Sequence, residues 1–210
     1  YKKKTGFYSQ WGEDKFINEF FKDKENGFYF DIGAFHPVKY SNTCLLHKRG
    51  WRGVNIDANK TSIDLFNIAR PDDFNICAAL ADKKENLDFY IDHKLAPVNT
   101  LDKSMKKKMS SVFFKNMNVK KIETKTINDL DQKSLLFNET DFLNIDIEGL
   151  DYKVLKQIDL KNSKITLASI ETHYPDGGKT SESEAIFNYL DDNKYEIYKR
   201  IGPTTLFKKK

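Results

Sequence analysis

Phe28-Tyr29-Phe30-Asp31-Ile32-Gly33-Ala34 is the stretch that decides the fold. It is a short apolar, β-favouring run that reaches an acid and then a glycine-containing turn. A second run, Gly53-Val54-Asn55-Ile56-Asp57, also ends on a carboxylate. Parallel strands buried on both faces read this way, and they deliver polar groups to the sheet's carboxyl edge, where open α/β sheets bind ligands. An acid about two dozen residues after such a turn has the spacing to reach a nucleoside ribose. The pair points to an adenosine-type ligand.

Upstream, Ser9-Gln10-Trp11-Gly12-Glu13-Asp14 precedes Phe16-Ile17-Asn18-Glu19-Phe20-Phe21, whose apolar residues fall at helical spacing. Ser9 is the expected N-cap, with acids in the first turn. Downstream, a helix within 41–49 stops at Gly50, and one over 61–70 stops before Pro71. Phe74 to Leu80 reads as a third strand, and 87–91 and 121–126 read as strands flanking an insert at about 92–121. Phe142-Leu143-Asn144-Ile145-Asp146 is another apolar run ending on an acid, followed by a helix over 151–158. Ile165 to Glu171 repeats the theme and leads into Thr172-His173-Tyr174-Pro175. A helix over 181–192 and a hairpin, 195–200 with 204–207 around Gly202-Pro203, close the chain. The Lys208-Lys209-Lys210 tail is expected to be disordered. Alternating strands and helices predict an α/β fold with a mostly parallel sheet and helices on both faces.

The 210 residues (24.5 kDa) fit one domain spanning 1–210. No apolar run approaches the roughly 20 residues needed to cross a bilayer, and the Tyr1-Lys2-Lys3-Lys4 start lacks a signal-peptide core, so a cytoplasmic protein is expected. The chain starts at Tyr rather than Met, which leaves room for an upstream segment. Cys44 and Cys77 lie in different predicted elements with no metal-like pairing, which predicts buried free thiols. With 35 basic against 31 acidic residues, the formal charge of +4 is too small to imply nucleic acid by itself.

The segments Ser9 to Asp14, Asp31-Ile32-Gly33-Ala34, Ser41-Asn42-Thr43 through Gly50 to Asp57, and Asp141-Phe142-Leu143-Asn144-Ile145-Asp146-Ile147-Glu148-Gly149 together resemble the FkbM-type S-adenosylmethionine (SAM)-dependent methyltransferases. The resemblance runs over nearly the whole chain from about residue 9. It implies a class I methyltransferase fold, a Rossmann-like seven-stranded sheet with one reversed strand, and methylation of an oxygen on a sugar or small metabolite. A nucleotide-activated sugar destined for a surface glycan is one such acceptor. Two departures stand out: Phe35-His36-Pro37 occupies the turn where the family usually carries a further glycine, and Asp57-Ala58-Asn59 replaces the commoner Glu-Pro pair.

For the cofactor, Asp31 and Gly33 are candidates at the methionine end, although a strand-end Asp also caps helices. Asp57 suits both ribose hydroxyls, against the plainer reading of a surface ion-pair partner; Ala58 lies beside it. Ala79 is a candidate to meet adenine or simply to fill the core. Gln10 is placed near the cofactor by resemblance alone. The chemical candidates are Asp146, Glu148, Glu171 and His173. An acceptor hydroxyl is a poor nucleophile until a base takes its proton or a metal lowers its pKa. His173 suits the base role near neutrality, and its alternative is a loop histidine that fixes Tyr174-Pro175. A divalent ion is compatible with these ligands but not demanded by any motif. His36 faces either ligand or merely forms the turn before Pro37. Lys106 and Lys107, in the lysine- and methionine-rich insert, suit a lid over the acceptor's diphosphate or a solvated basic face. The rival readings are an RNA-modifying methyltransferase using that insert and a non-catalytic dinucleotide-binding module. The latter lacks its Gly-x-Gly-x-x-Gly turn here.

Overall fold

The computed structural model describes residues 6–91, 118–130, 138–147 and 149–210. The chain alternates through α1 (Glu13–Phe20), β1 (Phe28–Ile32), α2 (Cys44–Lys48), β2 (Arg52–Asp57), α3 (Lys60–Ala69) and β3 (Phe74–Cys77). The short β4 (Ala79–Leu80), β5 (Asn86–Ile91) and β6 (Asn118–Lys125) follow. The remaining elements are β7 (Phe142–Ile145), α4 (Asp151–Leu155), β8 (Leu167–Glu171), α5 (Ser183–Asp192), β9 (Tyr195–Ile201) and β10 (Thr204–Lys209).

The main sheet has seven strands in the order β3-β2-β1-β7-β8-β10-β9. From β3 to β8 every neighbouring pair is parallel, whereas β10 runs antiparallel to both β8 and β9. The expected reversed strand is therefore β10. Chain order runs outward in opposite directions from β1 and β7, and such a switch point opens a crevice at the carboxyl ends of the strands.

Strand periodicity sorts the core into two layers. Phe30, Ile32, Val54, Ile56, Leu143 and Ile145 pack on one face with Val154 and Leu155 of α4 and Ile186 and Leu190 of α5. Tyr29, Phe142, Leu167 and Leu206 pack on the other with Ile17 of α1, Leu46 of α2 and Trp51. On this second face the apolar row gives way to a polar row nearer the carboxyl edge. Asn75, Asn55, Asp31, Asn144 and Ser169 are register partners in turn across β3, β2, β1, β7 and β8. The strands are thus not uniformly apolar runs with an acid at the tip; they carry a buried polar stripe beneath the pocket.

Several expectations change. The run 74–80 is not one strand: it breaks at Ala78, and β4 leaves the main sheet to pair with β6 in a three-stranded sheet, β4-β6-β5. The lysine tail is ordered, because Lys208 and Lys209 continue β10 against β9 and Lys209 Nζ donates to Ser163 O at 3.0 Å. Lys210 Nζ reaches Asp191. Both cysteines are free, but only Cys44 is buried; Cys77, at the end of edge strand β3, is exposed. Gly12, not Ser9, occupies the N-cap position of α1, yet Ser9 Oγ still accepts from the N–H groups of Gly12 and Asp14. Of the insert, 118–121 belong to β6, and 92–117 lie outside the described residues. No helix among the described residues is long and apolar enough to cross a membrane.

Gly33 sits at the centre of this arrangement. Its φ is +81°, and a Cβ there would lie 1.8 Å from the Asp146 carbonyl oxygen. The missing side chain is what lets the end of β7 close against the turn after β1. Gly33→Ala is expected to destabilise the protein by at least about 2 kcal/mol, since a left-handed alanine and a backbone clash add. A urea-unfolding midpoint unchanged from the parent protein would show that the turn relaxes freely.

Candidate functional site

At the switch point lies an open pocket of about 1000 Å³, including solvent at its mouth. Gln10, Asp31, Gly33, Asp57, Ala58, Ala79 and Asp146 all line it. Residues far apart in sequence thus converge because β1, β2 and β7 end at one edge of the main sheet and the chain passes from β3 into β4 beside it. Phe35, Tyr40, Asn42, Asn59, Phe89 and Asn144 also line it, and the sequence reading did not single them out as site residues. Asn42 lay in plain view within the Ser41-Asn42-Thr43 block, but nothing local tied it to β7.

Asp57 is held by the turn it faces. Its Oδ2 accepts from Phe35 N at 3.0 Å and its Oδ1 from Asn59 N at 2.6 Å. Burial nevertheless pushes its pKa up to about 6, against the lowering effect of these two bonds. Each oxygen of a carboxylate has two acceptor sites, so both retain one for a ligand hydroxyl.

Asp31 lies deeper, almost fully buried. It accepts from Thr43 Oγ1 at 2.7 Å and Asn144 Nδ2 at 2.9 Å, and Asn144 Oδ1 in turn accepts from Asn42 Nδ2 at 2.9 Å. Burial raises the Asp31 pKa, while Thr43, Arg70 and Asn144 lower it. The cation behind it is Arg70, 1% exposed at the end of α3. Arg70 Nη1 donates to Thr43 Oγ1 at 2.9 Å and to Tyr29 OH at 3.1 Å; Nη2 donates to Ser41 Oγ at 3.1 Å and to Pro37 O. Tyr29 OH passes its proton-side bond on to Asp73, which also accepts from Gly53 N and Asn55 Nδ2. One guanidinium therefore reaches two buried carboxylates through two hydroxyls. Arg70 was read from sequence only as a helix end before proline.

Asp146 stands at the pocket's β7 side, open to it. Asp146 is exposed overall, so the upward push on its pKa, from loss of water around the carboxyl and then from the charges of Glu13, Asp31 and Asp57, is partly screened by solvent. Next to it, burial and the Asp146 charge push Asp151 up to about 8, although Asp151 accepts from Ile147 N and Gly149 N. The pocket is therefore crowded with negative charge.

The remaining candidates separate. His36 does not line the pocket; its Nδ1 accepts from Val38 N at 3.0 Å and Lys39 N at 3.1 Å, so the ring shapes its own turn. Glu171 ends β8, opposite Thr204. His173 lies beyond that strand, 5% exposed and off the pocket's lining, with Nδ1 2.8 Å from Thr172 Oγ1 and its ring edge-on to Phe187. Burial, then the cations Arg200 and Lys179, lower its pKa, so it is neutral at pH 7. Glu148, Lys106 and Lys107 lie outside the described residues. Among the described residues, no group of three or more His, Cys, Asp and Glu side chains is placed to hold a metal ion.

The order of the strands, the crevice between β1 and β7 and the acid at the end of β2 define an α/β protein built to take a small ligand at its switch point. Residues 31–197 match the methyltransferase FkbM domain, and the chain belongs to that family. No curated protein matches it significantly. The family assignment supports methyltransferase activity.

Acids whose folded pKa is raised bind more protons folded than unfolded, so stability is lost as pH rises from the unfolded value, 3.8, through the folded one. The ligand-free protein is expected to melt at a lower temperature at about pH 8 than at about pH 5. Asp146→Asn should raise the melting temperature at the higher pH and leave it little changed at the lower. A variant that melts alike to the parent protein at both would remove charge crowding as the cause.

Proposed function

We propose that the chain is a SAM-dependent O-methyltransferase of the class I, Rossmann-like type, folded as one domain and acting on a hydroxyl of a small-molecule acceptor. A sugar, free or nucleotide-activated, is the acceptor that the FkbM resemblance favours. One observation carries the cofactor assignment: the switch-point pocket gathers Asp31, Asp57 and Asp146, with Glu13 close enough to raise the Asp146 pKa. SAM bears a sulfonium and an ammonium, which would relieve that repulsion. A dinucleotide would bring its pyrophosphate into the same field, and the turn from Gly33 onward lacks the glycines that admit one. The charge balance therefore favours SAM over the dinucleotide-module reading. The RNA reading rests on insert residues that lie outside the described structure, so no structural observation favours it.

In this reading Asp57 accepts the ribose hydroxyls, Ala58 and Ala79 leave space for adenine, and Asp31, Gly33 and Gln10 serve the methionine end. When bound, SAM supplies an electrophilic methyl group. In the same reading Asp146, on the pocket's β7 side, orients the acceptor hydroxyl or takes its proton. His173, buried beyond β8 and off the pocket's lining, keeps the role of second base only if the acceptor reaches it, and Glu171, at the end of β8, is the acceptor contact beside it.

Calorimetry with SAM, its demethylated product S-adenosylhomocysteine (SAH) and NAD tests the cofactor. Tight NAD binding without SAM binding would end the proposal. Asp57→Ala is expected to abolish SAM binding while the far-ultraviolet spectrum is kept, and unchanged affinity would remove the ribose assignment. Because a cation favours the ionised carboxylates, SAM affinity should rise as pH goes from about 5.5 to about 8, and SAH affinity should rise less. Turnover on a panel of nucleotide sugars, with and without chelator, then tests acceptor and metal together. His173→Ala should lower kcat at least about tenfold with little change in SAM affinity, in line with loss of a general base. Full retained turnover would eliminate His173 from the chemistry.

A further inference from the structure

The loop from Gly33 to Thr43 contains two strained aromatics. Phe35 has φ +51° and Tyr40 φ +56°, left-handed values that bulky side chains rarely adopt. Such strain persists only where the surroundings over-determine it, and it concentrates at ligand sites. The loop is pinned from several directions. Phe35 N donates to Asp57, the His36 ring accepts from Val38 N and Lys39 N, Arg70 donates to Pro37 O and Ser41 Oγ, and Asn42 donates to Asn144. The strained conformations place both rings in the pocket wall, stacked with centroids 6.1 Å apart and planes 20° apart.

The loop's attachments also give its direction across the pocket. It leaves the end of β1 just past Asp31, touches Asp57, the acid suited to the ribose, at Phe35, and returns through Asn42 and Asn144 to Asp31. In SAM the group between ribose and methionine is the sulfonium. Building on the cofactor reading above, we propose that Phe35 and Tyr40 form an aromatic wall that recognises the sulfonium charge, in the same pocket lining as the carboxylates of Asp31, Asp57 and Asp146. Ring faces attract cations within about 6 Å, more strongly where water is excluded. Lys39 Nζ lies over the Tyr40 ring, 4.9 Å from its centroid, and the sulfonium would displace it. The pair would act as a specificity device, because SAM carries the charge and SAH does not. Weak holding of the neutral thioether would help product leave.

The test compares ligands of equal shape and different charge. Calorimetric Kd values are measured for SAM, for sinefungin, which carries an amine in place of the methyl sulfonium, and for SAH. The parent protein, Phe35→Leu, Tyr40→Leu and Tyr40→Phe are compared. Each leucine variant is expected to weaken SAM and sinefungin by about 5- to 30-fold while SAH changes less than about twofold. Tyr40→Phe, which keeps a ring, should keep most of the SAM affinity. SAH binding by each variant also reports that the pocket is still folded. Equal losses for SAM and SAH would overturn the proposal, leaving the rings as packing, and no loss for either would remove them from the site. A parent protein that binds neither SAM nor SAH would instead defeat the cofactor reading itself.

Discussion

The arrangement depends on a single buried cation. Arg70 lies beneath the pocket at the end of α3 and donates to Thr43 and Tyr29, which carry the contact on to Asp31 and Asp73. A guanidinium out of water is costly unless its donors are satisfied; both Nη atoms of Arg70 are, Nε has no partner among the described residues, and two neighbouring buried carboxylates are costlier still without the cation. The same group holds Pro37 O and Ser41 Oγ, so it fixes the loop that forms the pocket's wall. Phe66 and Tyr29 lie against its plane, with ring centroids 5.0 and 5.7 Å away. Its fixed fork suits this multi-point task in a way a lysine could not match.

Charge above Arg70 is not balanced in the same way. Burial raises the Asp31 pKa even though that carboxylate is tied into the network, and it raises those of Asp57, Asp146 and Asp151 to about 6, 7 and 8. A stretch of sheet edge with several reluctant carboxylates is poor design for stability alone. It suits a site that receives a positively charged ligand, because repulsion held in the free protein is released on binding. Stability and function then share one physical basis, and pH acts on both through the same groups.

Much of the fold was legible because strand runs, glycines and prolines mark element ends locally. Phe28 to Ile32, Gly53 to Asp57 and the closing hairpin each announced themselves. The pocket's lining was legible where an acid or glycine sits at a strand end, as with Asp31, Gly33, Asp57 and Asp146. It was not legible where a residue's meaning comes from its neighbours across the sheet. Asn55, Asn144 and Ser169 look like interruptions in apolar runs, and only strand register turns them into one polar row with Asp31. The break at Ala78 was hidden because no glycine or proline interrupts 74–80, and pairing with β6, distant in sequence, decides which sheet its last residues join. Lys208 and Lys209 looked like a solvated tail, but β9 offers their backbone partners.

The sequence by itself determined the alternation of strands and helices, the acids at the strand ends and the glycine turn, since each follows from local periodicity and backbone preference. Tertiary structure decided which of these meet. It brought Arg70 under the first loop, put Phe35 and Tyr40 in the wall and left His173 and His36 off the pocket's lining. The reason is that burial and hydrogen-bond partnership depend on what packs from elsewhere in the chain. The carboxylates that first pointed to a nucleoside ligand acquired their raised pKa values only when folding placed them together.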